Sequence, residues 1–219
     1  MTVKNKVVII SWSQKYNEIK LRKLQGYQMN DISCHILPRK FYGRDTSKVA
    51  RDLLGKALVK YKGSEMVGGI IMETEAYYGP DDPASHAYHG KTPRSRIMFG
   101  KPGIAYVYLC YGMYNLLNIV TENKNRPGAV LIRALSPVWG IGFMKKRRNL
   151  DVRLTDGPGK LTIALGIDIK DNGADIVNGE KNIYIFDYKS GSKNGKIVVT
   201  GRIGIKEGKE RPLRFYIET

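Results

Sequence analysis

The chain is poor in the residues that build metal clusters and covalent cross-links. Its 219 residues include two cysteines (Cys34, Cys110) and three histidines (His35, His86, His89). Two cysteines are too few for a disulfide framework, and no CxxC or HExxH motif accompanies them. Cys110 lies inside the apolar run VYLCY and reads as a small buried residue. His86 and His89 could share a metal only from a helix, and the surrounding Gly and Pro argue for a loop. No metal and no organic cofactor is therefore expected. Long apolar runs are also missing, and none approaches the ~18 residues that span a bilayer. VVIISW near the start is too short for a signal core, and no small-residue cleavage site follows it. The expectation is an intracellular protein without a membrane partner. Negative charge is the third shortage, with 20 Asp+Glu against 37 Lys+Arg and a formal net charge of +17. Such an excess points to a polyanion, with nucleic acid ahead of an anionic membrane surface. A lysine-rich composition shared by a whole proteome would give the same sum, so charge alone decides nothing.

At this length one domain is the default. Residues 1–32 carry scattered Lys and Arg with little periodicity. They read as a basic N-terminal extension, either a flexible arm or sequence upstream of a second initiator at Met29. From residue 33 to 219 the chain reads as one folded unit. Asp45-Thr46-Ser47 offers a helix N-cap before Val49, Ala50, Leu53 and Leu54 at helical spacing. KALVKY and EMVGGIIMETEAYY, joined by KGS, predict a hairpin, and IAYVYLCY with NLLNIVT predicts another around Gly112-Met113. Thr92-Pro93 caps a helical turn through Phe99. AVLIRALSP reads as a strand ended by its proline, and MKKRRNL as a basic helix. Asp156–Gly159 opens a further helix, and NIYIFDY, KIVVTGRIGI and LRFYIE predict closing strands. Strand pairs linked by tight turns make the fold class α+β with an antiparallel sheet.

The acid/base groups and flat aromatic faces are concentrated in two segments, Glu73–His86 (ETEAYYGPDDPASH) and Tyr106–Asn118 (YVYLCYGMYNLLN). Side chains alternate along a strand, so Glu73, Glu75 and Tyr77 share one face. Two strand steps set the carboxylates roughly 6.5–7 Å apart. Inverting glycoside-cleaving enzymes use separations of that order to admit a water. An ordinary acidic strand has the same spacing, and spacing does not choose between Glu73 and Glu75. Arg133 sits in an otherwise apolar strand, where an unpaired guanidinium would be costly, so it requires an acidic partner. Gly157–Lys160 lacks the spacing of a nucleotide-hydrolysing phosphate loop, yet a glycine-opened helix start followed by Lys160 makes a phosphate seat. With Arg94 and Lys145–Arg148 it could track a polyanion backbone, although the latter run suits a solvated helix face equally well. Carboxylates beside tyrosines suit gripping a nucleobase and hydrolysing something next to it. A non-catalytic nucleic-acid binding module would use the tyrosines but has no use for the glutamates. A nuclease would want a metal-binding carboxylate cluster.

ETEAY with GP and then a histidine, TPRSR-MF, KPG-YVY--YGMYN--N, VLIRALSP, DGPGKL and the closing RPLRFYI occur here in one order. From about Phe41 to Ile217 the chain thereby resembles the alkyladenine (3-methyladenine) DNA glycosylase family. The resemblance implies a single domain built mainly on an antiparallel curved β-sheet, with a few helices and a protruding, DNA-intercalating β-hairpin. It implies a monofunctional base-excision-repair enzyme that flips alkylated or deaminated purines out of duplex DNA and hydrolyses the N-glycosidic bond. By the same resemblance Glu75 activates the water and Arg133 orients it. Tyr77, His86 and Tyr108 stack on the flipped base, and Asn118 sits beneath the purine, where its amide clashes with the amino group of guanine. Tyr111 is the wedge that fills the vacated stack, flanked by Met113 and Tyr114. The implied partner is double-stranded DNA containing damaged purines, bound by a monomer acting on chromosomal DNA. The loop Glu122–Pro127 looks longer than in some family members and is expected at the surface near the site.

Overall fold

The computed structural model describes residues 35–188 and 195–218, so the basic extension at 1–32 lies outside the described residues. Its nine strands join in one antiparallel sheet that curls into a half-barrel. The strands are β1 (His35–Ile36), β2 (Ala57–Lys62), β3 (Glu65–Tyr77), β4 (Ala105–Cys110), β5 (Tyr114–Val120), β6 (Ala129–Trp139), β7 (Ile183–Asp187), β8 (Ile197–Thr200) and β9 (Arg214–Ile217). Across the sheet the order is β1-β7-β2-β3-β6-β5-β4, with β8 and β9 attached as a pair to β3. Four helices accompany it: α1 (Arg39–Tyr42), α2 (Thr46–Leu53), α3 (Ile141–Arg148) and α4 (Pro158–Leu165).

Local signals explain most of these elements. The Asp45 carboxylate accepts the Lys48 backbone N–H at 3.0 Å and caps α2, whose Val49, Ala50 and Leu53 are fully buried. Pro158 stands in the first turn of α4, where its missing N–H costs nothing. Lys62 pairs with Glu65 across the tight turn that joins β2 to β3. Buried side chains from α2, α4 and the sheet, among them Leu53, Ile71, Val107, Leu117, Ile132 and Leu161, form one core. A smaller cluster of Ala87, Met98, Tyr106, Val120 and Ala129 lies apart from it, where the site is built.

β3 positions the site. One edge pairs with β6, while the other pairs with β2 over residues 65–70 and then with β9 over residues 73–75. The register against β6 slips twice at the change of partner. Met72 has no opposite residue, and neither does Arg133. Such bulges bend a strand and re-aim side chains, here beside Glu73 and Glu75.

Two expectations need correction. β6 does not end at Pro137 but continues to Trp139. β5 covers β6 only at residues 129–131, so Pro137 sits where the outer edge has no strand neighbour, and a missing N–H is tolerated there. The stretch KIVVTGRIGI is strand only to Thr200. A Cβ at Gly201 would stand 2.2 Å from the Lys209 carbonyl, and Arg202 turns inward to a buried partner, so the chain leaves the sheet as a loop. No helix among the described residues is long and apolar enough to cross a membrane.

Candidate active site

Alternation along β3 brings Glu73, Glu75 and Tyr77 to one face, and the bulge at Arg133 aims the guanidinium at both carboxylates. Arg133 Nε donates to Glu73 Oε1 at 2.7 Å, and its Nη1 lies 3.2 Å from Glu75 Oε2. Arg214 of β9 donates to the same Glu73 oxygen at 2.6 Å. Glu75 is fully buried. Its Oε2 accepts the Tyr77 hydroxyl at 2.8 Å and its Oε1 accepts the Ile203 backbone N–H at 2.8 Å. Burial alone would lower the Arg133 pKa, but Glu75 and then Glu73 outweigh it and hold it above the ordinary value. Burial, reinforced by the Glu75 charge, drives the Tyr77 hydroxyl well above the ordinary phenol range, so it stays protonated and donates.

Above this floor an inner pocket is lined by Tyr77, Ala84, His86, Met98, Tyr108 and Asn118. Through Tyr77, Ala84, His86 and Tyr108 it shares walls with an open cleft of roughly 620 Å³. The His86 and Tyr108 rings meet edge to face at 4.6 Å, and His86 Nδ1 shares a 2.8 Å hydrogen bond with the Tyr106 hydroxyl. Burial, and then the Arg94 charge, push the His86 pKa down to about 4, so the imidazole is neutral near pH 7. Asn118 is buried, and its amide donates to the Tyr106 carbonyl at 3.3 Å. The pocket thus offers flat faces, a neutral imidazole and an amide edge, with a carboxylate–arginine pair beneath. Among the described residues no group of His, Cys, Asp or Glu is arranged to hold a metal ion.

At the tip between β4 and β5, Tyr111 is 83% exposed and Met113 66%. Tyr111 adopts a left-handed backbone (φ 51°) and is followed by Gly112 (φ 69°). Tyr114 instead lies against α4, so close that a Cβ at Gly159 would meet its ring at 2.9 Å. Arg94 lines the cleft and places its guanidinium 5.0 Å over the Tyr108 ring. Lys160 is not a free cation, because its Nζ bonds Asp156 at 2.9 Å, and Arg153 bonds the same carboxylate. The loop 122–127 lines neither cavity; residues 123–126 are exposed, and Glu122 is buried against Thr46, whose N–H it accepts at 2.8 Å.

Sequence reasoning missed the groups that hold the site from behind. Arg202 and Asp82 form a fully buried two-pronged ion pair at 2.6 and 2.7 Å. It joins the loop carrying His86 to the loop carrying Ile203. Tyr106, Met98 and Arg214 were also passed over. A charged pair in DDP and GRIG was the available signal, but neither run says which acid meets which base.

Comparison with known proteins gives the family of the chain. Residues 40–219 match the methylpurine-DNA glycosylase family. Relatives provisionally named 3-methyladenine DNA glycosylase occur in several organisms. That of Carboxydothermus hydrogenoformans is 49% identical, covering 84% of this chain and 95% of its own. The protein of Methanocella arvoryzae is also 49% identical, over 83% and 92% of the two chains. The one from Alkaliphilus oremlandii is 47% identical, over 83% and 95%. A family match across residues 40–219 and near-half identity over most of the length lead to one conclusion: the chain belongs to the methylpurine-DNA glycosylase family.

Proposed function

We propose that the protein rotates a damaged purine out of duplex DNA into the Tyr77–His86–Tyr108 pocket and hydrolyses its N-glycosidic bond with a water activated by Glu75. By family the chain is a DNA glycosylase of base-excision repair, and DNA is its substrate. The residue roles, the damaged-purine preference, action as a monomer and a place on chromosomal DNA inside the cell are the proposal. One observation carries it. A fully buried glutamate, paired with an arginine and bonded to Tyr77, underlies a pocket walled by flat rings.

In the reaction Glu75 takes a proton from water while the water oxygen bonds to the anomeric carbon. The bond from that carbon to the purine breaks, and its electron pair leaves with the base, giving an abasic site. Glu75 is fully buried and its partners Tyr77, Arg133 and Ile203 line the cleft, so the seated nucleotide must draw one of these contacts aside to admit water. Asn118 and the neutral His86 read the purine edge, and the aromatic faces favour electron-poor rings. Tyr111 fills the gap in the stack, with Met113 beside it.

The test is incubation with duplexes carrying single defined lesions, alkylated adenine or hypoxanthine, followed by alkali. Strand breakage at the lesion after alkali, and none before it, is the expected result. Tight binding with no abasic site would return the protein to a non-catalytic binding module.

A further inference from the structure

We propose that the buried Asp82–Arg202 pair is a specificity-determining element behind Tyr77, fixing how well the pocket accepts cationic as against neutral damaged purines. The inference rests on the glycosylase reading and extends it to residues outside the cavity lining. The Arg202 guanidinium lies 4.7 Å over the Tyr77 ring, yet Arg202 lines neither cavity, whereas Tyr77 lines both. The guanidinium therefore backs the ring from the side away from the base. A purine alkylated at a ring nitrogen carries a positive charge while still bonded to the sugar, and hypoxanthine carries none. A bare guanidinium behind Tyr77 would repel the first and leave the second alone.

Asp82 cancels that charge. Its two oxygens accept from Arg202 Nη1 and Nη2 at 2.6 and 2.7 Å, with both side chains fully out of solvent. In so dry a setting the pair acts as a neutral unit, and neither partner is screened by water. The same pair positions the floor. Arg202 Nη1 also donates to the Ala76 carbonyl at 3.0 Å, and the next residue, Ile203, supplies the N–H that holds Glu75. Any change in the pair should lower the overall rate, so the diagnostic quantity is the ratio between cationic and neutral substrates. Loss of shape alone would lower both rates together.

The experiment measures single-turnover release of 3-methyladenine from methylated DNA and of hypoxanthine from a defined duplex, at pH 8, with thermal melts of each variant. Asp82→Asn leaves the guanidinium uncompensated. The ratio should fall by about thirtyfold for a unit charge roughly 8 Å from the base at an effective dielectric of about 20. Arg202→Lys keeps both charges and should keep the wild-type ratio at a lower rate. Should Asp82→Asn not fold, Arg202→Met reads the same field with the opposite sign. There Asp82 still accepts the Tyr78 and Ala84 N–H groups at 3.0 and 3.3 Å and lies 3.8 Å from Arg211, so it keeps its charge. The ratio then rises. A folded Asp82→Asn with an unmoved ratio, or Arg202→Met with an unmoved ratio, overturns the proposal. Failure of the wild-type protein to release either base would sink the glycosylase reading instead.

Discussion

At the floor of the site, both oxygens of Glu75 have partners, and Glu73 holds two arginines at 2.6 and 2.7 Å. At the hairpin tip, a short distance along the sequence, Tyr111 and Met113 stand in solvent on a backbone turned left-handed at Tyr111 and Gly112. The floor lies between β3, β6 and β9 and is held by long-range contacts, whereas the tip is held by its own turn. On the proposed roles, the difference follows from what each part meets. Groups that stabilise developing charge must be oriented before the substrate arrives, because reorienting dipoles during reaction raises the barrier. Groups that contact a partner can remain exposed until the partner covers them. A tyrosine in the left-handed region costs of order 1–2 kcal/mol and exposes an apolar face, so it is a poor choice for folding alone.

If the floor is the chemical part, substitution there should remove chemistry without removing binding. Glu75→Gln keeps the size of the side chain, and Arg133 retains Glu73, so the fold is preserved. Base release should fall by ~100-fold or more, the range of general-base contributions, while affinity for lesion DNA stays within a few-fold. Glu73→Gln should do the reverse. It deprives Arg133 and Arg214 of a shared counter-charge, so stability falls by about 2 kcal/mol or more and melting by about 5 °C, with most of the base release kept. Single-turnover rates and thermal melts on both variants check this. A dead Glu73→Gln beside an active Glu75→Gln would reverse the assignment of the two carboxylates.

At the tip the prediction has a different shape. Tyr111→Ala should leave the melting temperature within about a degree, because so exposed a side chain contributes little to packing. Excision should drop, and drop further for a lesion in a matched duplex than for one opposite a mismatch. Flipping costs a few kcal/mol of stacking and pairing, which a mismatch has already reduced, so a plug matters most in paired DNA. Equal losses on both duplexes, with a lowered melting temperature, would make Tyr111 a packing residue and erase the contrast with the floor.

What the sequence disclosed divides along the same line. The faces of β3, the cap at Asp45 and the hairpin around Gly112 are local patterns within a dozen residues, and each formed where its pattern placed it. Arg133 demanded an acid because a lone guanidinium in an apolar strand is costly, and the structure supplies two. Asp82 and Arg202, by contrast, are 120 residues apart, and no periodicity links them. The bulges at Met72 and Arg133 depend on where β2 gives way to β9, a fact of topology rather than of spacing. Lys160 looked available for a phosphate because a helix start followed by lysine is a generic anion seat. Asp156 four residues earlier already pairs with its ammonium.

The smallest expected effect concerns His86, which lies between floor and tip and belongs with the floor if it is held as firmly. Burial and Arg94 depress its pKa to about 4, against an ordinary value near 6.5. The folded protein therefore resists a proton that the unfolded chain accepts once the pH drops below about 6.5. The contribution of a neutral His86 to stability is complete above that value and is lost as the pH falls toward 4. The slope is at most about 1.4 kcal/mol per pH unit. Carboxylates pull in the same direction on acidification, so the wild-type curve alone does not isolate His86. The informative quantity is the difference between wild type and His86→Gln, which keeps a hydrogen-bonding partner for Tyr106 and cannot titrate. Denaturant midpoints at pH 7.5, 6.0 and 5.0 should show the wild type losing ground to the variant as the pH falls. Excision by the wild type, meanwhile, should show no inflection near 6.5, since a ring that is already neutral has no proton to lose there. Parallel stability curves for the two proteins would mean that His86 takes up its proton at the ordinary pH. The ring would then be as responsive to its surroundings as the groups at the tip, and a cationic purine would meet a repelling wall below pH 6.5.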